Sequence, residues 1–282
     1  MKNTLRPEPM STPTSAQIDQ KLPKGAVPAV HKAVQILDTL AASKLPLSLA
    51  EITARLGLPK SSVLALATSL TRTGLVRRVD SGAYQLGTHL VDLAHAYLAN
   101  IDLTQEFSST WDALAMLPGE GVVLALLDGT DVVYIACRNS DTPLGVTYRI
   151  GMRLPANCTA TGKALLSTLP DERVRALYRG VPLRQLTPHS HKTLRTLLAD
   201  LHEARLRGYA IDDEETRAGM CCIGAPVFDA SGSYAIAAVA VSTLKRDAEP
   251  GHDQLEIAAV LQFSRVLSKR LGAQPLKSGG LA

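Results

Sequence analysis

The spacing of apolar residues predicts two short helices early in the chain. Between residues 29 and 42, apolar side chains recur on one face at helical spacing. A second helix begins at Ser48, with Glu51 three positions later, which is the pattern of a capping box. Gly57 is suited to end this helix, because glycine adopts the left-handed conformation of a helix C-cap at no steric cost.

A third helix and a β-hairpin follow directly. Pro59 fits the first turn of a helix, where its missing N–H is harmless, and Gly74 closes that helix. Residues 75–86 then have the pattern of two short strands around a turn. Two helices joined by a tight glycine turn are typical of a helix-turn-helix, and a hairpin after the second helix is a wing. We therefore predict a winged helix-turn-helix over residues 27–87, with the third helix as the recognition helix.

The rest of the chain alternates between helical and strand patterns. Residues 88–103 include a predicted linker helix, and residues 104–272 mix hairpins with helices, which indicates an α+β domain with an antiparallel sheet. The predicted helices of this domain span residues 107–117, 161–168, 171–178, 193–207 and 252–271. Its predicted strands span residues 121–127, 131–136, 144–150, 208–212, 222–228 and 234–242.

Composition excludes several classes of protein. The chain is 46% hydrophobic and 20% charged, which is typical of globular domains. No apolar run approaches the roughly 18–20 residues that span a bilayer, so we expect no membrane partner. Four cysteines in 282 residues do not form a disulfide framework, and cytoplasmic localisation is expected. Residues 1–26 are predicted to be a disordered tail without a signal peptide, and residues 273–282 a flexible one.

Charge is divided unevenly along the chain. Residues 1–86 hold eleven Lys/Arg and five Asp/Glu, a net charge of +6. Residues 87–282 hold 19 Lys/Arg and 21 Asp/Glu, a net charge of −2. This division indicates a polyanion-binding module attached to a nearly neutral domain.

Several side chains of the helix-turn-helix are suited to hold double-stranded DNA. The N–H groups, hydroxyls and dipole at the N-terminus of the recognition helix favour phosphate oxygens. Arginines at the end of that helix and in the wing can neutralise flanking phosphates. The alternative is a small helical domain whose basic residues are merely solvated. The candidate DNA contacts are Lys60, Ser61, Ser62, Ser69, Arg72, Arg77 and Arg78.

Short segments in both predicted domains resemble those of IclR-family transcription regulators. In the first domain they are LSLAEI (47–52), LGLPKSSV (56–63), GLV (74–76) and YQLG (84–87). In the second they are GMRLP (151–155), TATGKALL (159–166), GYAIDDEE (208–215), Gly219 with CIGAPV (222–227), and AVAVS (238–242). Their order and spacing make the match specific, and it spans residues 27–272.

The resemblance implies a GAF-like fold for the C-terminal domain and a role for the linker helix in pairing subunits. We therefore expect a homodimer or a dimer of dimers, which also suits the reading of palindromic DNA sites. It further implies a small-molecule effector, which we expect to be a small organic or aromatic acid, and neither a cofactor nor a metal ion. The implied effector-binding residues are Ala160, Thr161, Asp212, Cys222 and Ser242.

The residues around Ala160 independently favour an anion. Residues 159–162 open a predicted helix with small side chains, so backbone N–H groups are accessible to a carboxylate. Some family members carry Gly-Ala at Ala160-Thr161 and Ser at Ala240, which predicts a different effector here. The structural alternatives are that Thr159 only caps the helix, Cys222 only fills the core and Asp212 only caps a loop.

The recognition helix departs from the family at two positions. Family members often carry a polar residue and an Arg where this chain has Leu64 and Ala65. We therefore expect sequence specificity to depend on Ser61, Ser62, Ser69 and DNA shape.

Two other functions are alternatives at the level of the sequence. Cys221 and Cys222 could bind a metal or sense oxidation, although adjacent strand residues point to opposite faces of a sheet. A catalytic sensor domain would need a motif such as Gly-x-Ser-x-Gly, a P-loop or a metalloprotease helix, and none occurs in the sequence. His189 and His191 follow Pro188 in a predicted loop and are expected to be solvated rather than to ligate a metal.

Overall fold

The structure, a computed structural model, describes residues 27–99, 103–114, 120–139, 147–245 and 252–273. The chain divides into two compact units, residues 1–97 and residues 98–282. The helices of the described residues are α1 (Pro28–Ala41), α2 (Leu49–Leu56), α3 (Lys60–Arg72), α4 (His89–Ala99), α5 (Leu103–Leu114), α6 (Ala160–Ser167), α7 (Asp171–Leu177), α8 (Leu194–Arg207) and α9 (His252–Arg270). The strands are β1 (Val76–Arg78), β2 (Tyr84–Leu86), β3 (Gly121–Asp128), β4 (Asp131–Arg138), β5 (Arg153–Pro155), β6 (Ala210–Asp213), β7 (Met220–Val227) and β8 (Ala237–Leu244).

An apolar core holds the first unit together. The helices α1, α2 and α3 pack on one another, and the hairpin of β1 and β2 packs against α1 and α3. Leu47 and Tyr84 exchange two backbone hydrogen bonds, with N–O distances of 2.9 and 2.7 Å, so the loop before α2 is tied to the hairpin. The buried side chains of this core are Ile36, Leu40, Leu47, Ile52, Val63, Ala67, Leu70, Val76 and Tyr84.

The ends of α2 are those predicted from the sequence. Glu51 N donates to Ser48 Oγ at 3.2 Å, and Ser48 N donates to Glu51 Oε2 at 2.8 Å, so the capping box is confirmed. Gly57 ends the helix in the left-handed conformation, with φ +63°. Pro59 was predicted to lie in the first turn of α3, but it occupies the N-cap, because its backbone is extended and Lys60 is the first helical residue.

The predicted wing is present and shorter than expected. β1 and β2 pair antiparallel, with Val76 opposite Leu86 and Arg78 opposite Tyr84. Gly82 N donates to Val79 O at 2.8 Å and closes the turn between the strands. The recognition helix α3 is thus followed directly by a hairpin, which is the arrangement of a winged helix-turn-helix.

A six-stranded antiparallel sheet forms the centre of the second unit within the described residues, in the order β5-β4-β3-β8-β7-β6. The helices α5 and α9 pack on one face, where the rings of Phe107 and Phe263 lie 5.3 Å apart between centroids. The helices α6, α7 and α8 cover the opposite face. This α+β sandwich of three layers is the predicted fold class, and the GAF-like description fits it only coarsely.

The strand predicted at residues 144–150 was wrong for residues 147–150, which form no strand, and residues 144–146 lie outside the described part. The chain turns at residues 149–152 through Gly151, which has φ +83°. After this turn β5, which the sequence pattern missed, pairs with the start of β4.

Helix bounds also differ from those predicted. Helix α5 begins at Leu103, four residues before its predicted start, and helix α4 begins at His89. The predicted continuations at residues 100–102 and 115–117, the tail at residues 1–26 and residues 274–282 lie outside the described residues. In the described part of the chain, no helix combines the length and apolar character needed to cross a membrane.

Candidate DNA-binding surface and effector site

Helix α3 has one buried and one exposed face. Val63, Ala67 and Leu70 are buried in the core of the first unit. At 100° per residue, the opposite face carries side chains that are all exposed. These are Ser61, Leu64, Ala65, Thr68, Ser69 and Arg72.

The N-terminus of α3 has no side-chain cap, in contrast to that of α2. Pro59 occupies the N-cap position and makes no side-chain hydrogen bond to the helix. The backbone N–H groups of Lys60, Ser61 and Ser62 are therefore available to an outside acceptor. Lys60 and Ser61 are exposed, whereas Ser62 is half-buried. This end of the helix is suited to a phosphate oxygen.

Two hydroxyls on the exposed face are held by the helix itself. Thr68 Oγ1 donates to Leu64 O at 2.8 Å, and Ser69 Oγ donates to Ala65 O at 3.0 Å. Ser69, a predicted DNA contact, can accept a hydrogen bond in this arrangement but donates only by giving up its bond to the helix.

Both predicted arginines of the wing are exposed, and both contact neighbouring groups of the hairpin. Arg78 Nε donates to Gly82 O at 2.9 Å, and its guanidinium lies 5.8 Å from the centroid of the Tyr84 ring. Arg77 lies opposite Gln85 in the β1–β2 register, and the two side chains are in contact. Arg78 therefore also shapes the turn of the wing.

Four cationic side chains lie at the ends of α3 and in the wing of the first unit. Among the ion pairs of the described residues, none involves Lys60, Arg72, Arg77 or Arg78. Unpaired cations at both ends of α3 and in the wing, together with the uncapped N-terminus of the helix, are suited to bind a polyanion.

Three of the predicted effector-binding residues lie in one row across the sheet. Asp212 of β6 is the register partner of Cys222 of β7, and Cys222 is in turn the register partner of Ser242 of β8. Directly opposed residues share a face of the sheet. All three side chains are buried on the face covered by α6 and α8.

Helix α6 packs against the same face of the sheet at very close range. A Cβ atom on Gly224 of β7 would lie 2.6 Å from the carbonyl carbon and oxygen of Ala160, so only glycine allows the contact. The contact places Ala160 and Thr161 beside the strand, two positions from Cys222. The structure thus brings all five predicted effector-binding residues into one buried region.

The N-terminus of α6 includes an unpartnered polar group. Thr159 caps the helix, because its Oγ1 accepts from Gly162 N at 3.0 Å. This is the capping role that the sequence offers as the alternative to effector binding. Thr161 is 1% exposed, and its Oγ1 makes no hydrogen bond of good geometry with any described residue, although its contact with the Tyr134 hydroxyl acts to lower the pKa of that tyrosine. A buried hydroxyl without a partner is costly and can be satisfied by a ligand.

Two tyrosines complete the region, and the sequence analysis did not identify them. The Tyr148 hydroxyl donates to Ser242 Oγ at 2.6 Å, and its ring meets the ring of Tyr134 edge-on at 5.4 Å between centroids. Burial raises the pKa of both tyrosines, with a further contribution from Cys222, so both hydroxyls stay protonated donors. Aromatic residues make up only 4% of the chain, and no local pattern in the sequence marks these two.

Asp212 caps a turn, which is the role that the sequence offers as the alternative to effector binding. Its Oδ1 accepts from Glu215 N at 2.8 Å and from Thr216 N at 3.0 Å. Burial raises the pKa of Asp212, and burial together with the Asp212 carboxylate raises the pKa of the Cys222 thiol. A protonated, buried thiol is a poor metal ligand and a poor redox sensor. Cys221 is half-buried on the other face of the strand.

A network of charged groups surrounds Lys163 in the first turn of α6. Lys163 of α6 is 1% exposed and forms ion pairs with Asp200, at 2.7 Å, and with Glu215. His191 Nε2 lies 3.1 Å from Asp200 Oδ2, so the prediction that this histidine is solvated was wrong, whereas His189 is exposed. The loop folds back onto α8, which the local sequence does not indicate.

The side chains of His191, Asp200 and Glu215 come close enough to hold a metal ion by distance alone. However, the Lys163 ammonium already forms ion pairs with both carboxylates, and the Arg207 guanidinium adds a second cation 3.4 Å from Asp200. A divalent cation at the same place would be repelled by that ammonium, so we interpret the cluster as an ion-pair network.

Comparison with known proteins assigns both units. Residues 29–80 match the family described as the IclR helix-turn-helix domain. Residues 95–268 match the family described as the C-terminal domain of the bacterial transcriptional regulator IclR. The regulator XynR of Escherichia coli K12 is 33% identical over 247 residues, which cover 86% of this chain and 97% of that protein. XynR is named as an HTH-type transcriptional regulator.

Solved structures agree with this assignment. The repressor BlcR of Agobacterium tumefaciens is 38% identical, with a TM-score of 0.58 and coverage of 88% of this chain and 99% of that one. An IclR homologue from Microbacterium hydrocarbonoxydans, solved with 4-hydroxybenzoate, is 20% identical, with a TM-score of 0.75 and coverage of 86% and 98%, and shares the fold. The chain belongs to the IclR family of bacterial transcriptional regulators.

Proposed function

We propose that this protein is a sequence-specific DNA-binding regulator whose affinity for its operator is controlled by a small organic or aromatic acid. In this proposal residues 27–87 bind double-stranded DNA, residues 88–103 link the domains, and residues 104–272 bind the effector. The observation that carries the proposal is the exposed face of α3, with its uncapped N-terminus and unpaired cations. The protein then works in the cytoplasm, where bacterial DNA lies.

The proposed contacts divide into two groups. The N–H groups and side chains of Lys60, Ser61 and Ser62 hold a phosphate at the start of the recognition helix, and Ser69 accepts a hydrogen bond farther along it. The arginines at the end of the helix and in the wing neutralise phosphates on both sides of the groove. These arginines are Arg72, Arg77 and Arg78.

Exposed apolar side chains support subunit pairing. Val91 and Leu93 of α4 are 68% and 50% exposed, and Val30 and Val34 of α1 are 62% and 49% exposed. Four large apolar residues on two helices of one small unit are suited to burial against a second copy. A homodimer, alone or paired into a dimer of dimers, would present two wings to a palindromic operator.

The proposed effector site is the buried region around α6. A carboxylate can accept from the first N–H groups of α6, beside Ala160 and Thr161, while Asp212, Cys222 and Ser242 line the sheet side. The 4-hydroxybenzoate held by the IclR homologue is an acid of this class. Binding that favours one arrangement of the domains changes operator affinity by a population shift, without catalysis.

A binding assay tests the DNA half of the proposal. The purified full-length chain is titrated against labelled fragments flanking its own gene, at several salt concentrations, with fluorescence anisotropy as the signal. We expect one fragment to bind specifically, with an affinity that falls linearly with salt on a double-logarithmic scale. Equal binding to every fragment at every salt concentration would contradict the proposal.

A thermal-shift screen of small carboxylic acids tests the effector half. A ligand that binds only the folded state raises the melting temperature, and the shift grows with the ratio of ligand concentration to Kd. Each hit is then tested on Thr161→Val, which removes the unpartnered hydroxyl, and on the exposed control Thr68→Val. Loss of the shift in Thr161→Val alone supports the site, whereas an equal shift in both variants excludes it.

A further inference from the structure

Leu64 is a large apolar residue on the solvent side of the recognition helix. It is 46% exposed, whereas Val63, Ala67 and Leu70 of the same helix are buried in the core. The helix therefore does not need an apolar side chain at this position for its packing. The sequence alone suggested that Leu64 weakens base reading, but the exposed position makes it accessible to a partner.

The neighbours of Leu64 extend this apolar surface. Ala65 is adjacent, and Thr68 lies one turn farther along on the same face, where both are exposed. Because the Thr68 hydroxyl donates to Leu64 O, Thr68 presents its methyl group and at most a hydrogen-bond acceptor to an outside partner. The middle of the exposed face thus presents methyl groups and no free hydrogen-bond donor. We call Leu64, Ala65 and Thr68 the methyl patch.

Charge at both ends of α3 identifies the kind of partner. Lys60 begins the helix and Arg72 ends it, about 18 Å away at 1.5 Å per residue. A cation at each end and an apolar middle match the major groove of DNA, which has phosphates along its edges and base edges on its floor. Thymine is the base that presents a methyl group there.

Building on the proposed DNA-binding function, we propose that the methyl patch recognises thymine C5-methyl groups in the major groove. Leu64 is the specificity-determining residue, and each operator half-site carries thymine where α3 enters the groove. Apolar contact with a methyl group requires no donor or acceptor, which fits the middle of this helix, where the hydroxyls of Thr68 and Ser69 donate to the helix's own backbone.

Replacing thymine by uracil tests this proposal, because it removes the C5-methyl group and leaves base pairing unchanged. The preferred operator is first selected from a random duplex library with the full-length protein. Each thymine of one half-site is then replaced in turn by deoxyuridine. We expect about fourfold weaker binding at one or two positions, since a buried methyl contributes about 0.8 kcal/mol.

The variant Leu64→Ala identifies the residue that reads the methyl group. It should bind the same operator with no further loss on uracil substitution at those positions. Leu45→Ala is the matched control, since Leu45 is 75% exposed and lies outside α3, and it should retain the wild-type uracil response. A uracil scan of the wild-type protein needs no variant at all, so the test does not depend on the stability of Leu64→Ala.

The outcomes separate this inference from the function on which it depends. If no operator can be selected and binding has no sequence preference, the DNA-binding proposal fails. If an operator is selected but uracil at every thymine leaves the affinity unchanged, the regulator stands and the methyl-patch proposal is overturned. A uracil effect that persists in Leu64→Ala would also overturn the role of Leu64.

Discussion

The Tyr148 hydroxyl donates a 2.6 Å hydrogen bond to Ser242 Oγ and joins residues 94 positions apart in the chain. Tyr148 follows β4, whereas Ser242 lies in β8 and ends the row formed with Asp212 and Cys222. Both partners of the bond are buried. Tyr148, which lies outside the sheet, therefore forms one edge of the candidate effector site.

Removing this hydrogen bond should cost about 1 kcal/mol of unfolding free energy. Tyr148→Phe and Ser242→Ala should each show this loss in urea denaturation, and the double variant should lose little more than the larger single loss, because both remove one bond. Tyr234→Phe, at a residue 38% exposed, serves as the control. Fully additive losses would show that the two hydroxyls do not interact.

Gly224→Ala should disturb the contact between β7 and α6. The new Cβ atom would lie 2.6 Å from the backbone of Ala160, so we expect a loss of about 1–3 kcal/mol and a loss of the effector-induced thermal shift. Gly129→Ala is the comparison, because it has open space and only the strain of φ +61°. It should cost about 1 kcal/mol and keep the thermal shift. An intact thermal shift in Gly224→Ala would place the effector elsewhere.

Acid sensitivity should depend on Asp200. Burial acts to raise its pKa, but the hydrogen bond from His191 and the Lys163 ammonium outweigh burial and hold the pKa below the ordinary value of 3.8. The stabilising effect is thus complete above about pH 5 and is lost as the pH falls further, because the unfolded chain takes up the proton first.

We expect Asp200→Asn to be less stable than wild type at pH 7 and to lose less stability between about pH 5 and pH 3. Urea midpoints across that range measure the difference, and Asp112→Asn, with its side chain 72% exposed, is the control. Burial also raises the pKa values of Asp212 and Glu215, and both residues are present in all three proteins. Parallel curves for Asp200→Asn and wild type would contradict the assignment.

The wing arginines should contribute affinity without sequence preference. Arg77→Ala combined with Arg78→Ala should weaken binding to every DNA fragment and reduce the slope of log affinity against log salt by about 2, about 1 for each phosphate contact. The single variant Arg77→Ala is the cleaner test, because Arg78 also holds the Gly82 turn. Arg179→Ala, an exposed position in the second unit, is the control. A loss confined to the specific operator would assign base reading to the wing.

Local sequence signals predicted most of the fold. The capping box of Ser48 and Glu51, the end of α2 at Gly57 and the turn of the wing each involve residues within a few positions of one another. Their hydrogen bonds join residues that are near one another in the chain, so the local residue types are sufficient to identify them. Short continuous apolar runs likewise predicted the strands β3, β7 and β8, which are buried on both faces.

Only the tertiary structure decided what meets at the effector site. The sequence and its family resemblance indicated Asp212, Cys222 and Ser242, but their alignment in one row depends on strand register, and a shift of one residue would reverse every side chain. The participation of Tyr148 depends on its contact with Ser242, 94 positions away, and that of His191 on contacts with Asp200 and Glu215, 9 and 24 positions away. Such contacts are selected by the packing of the whole domain, because no local hydrogen bond or periodicity specifies which distant partner a side chain will find.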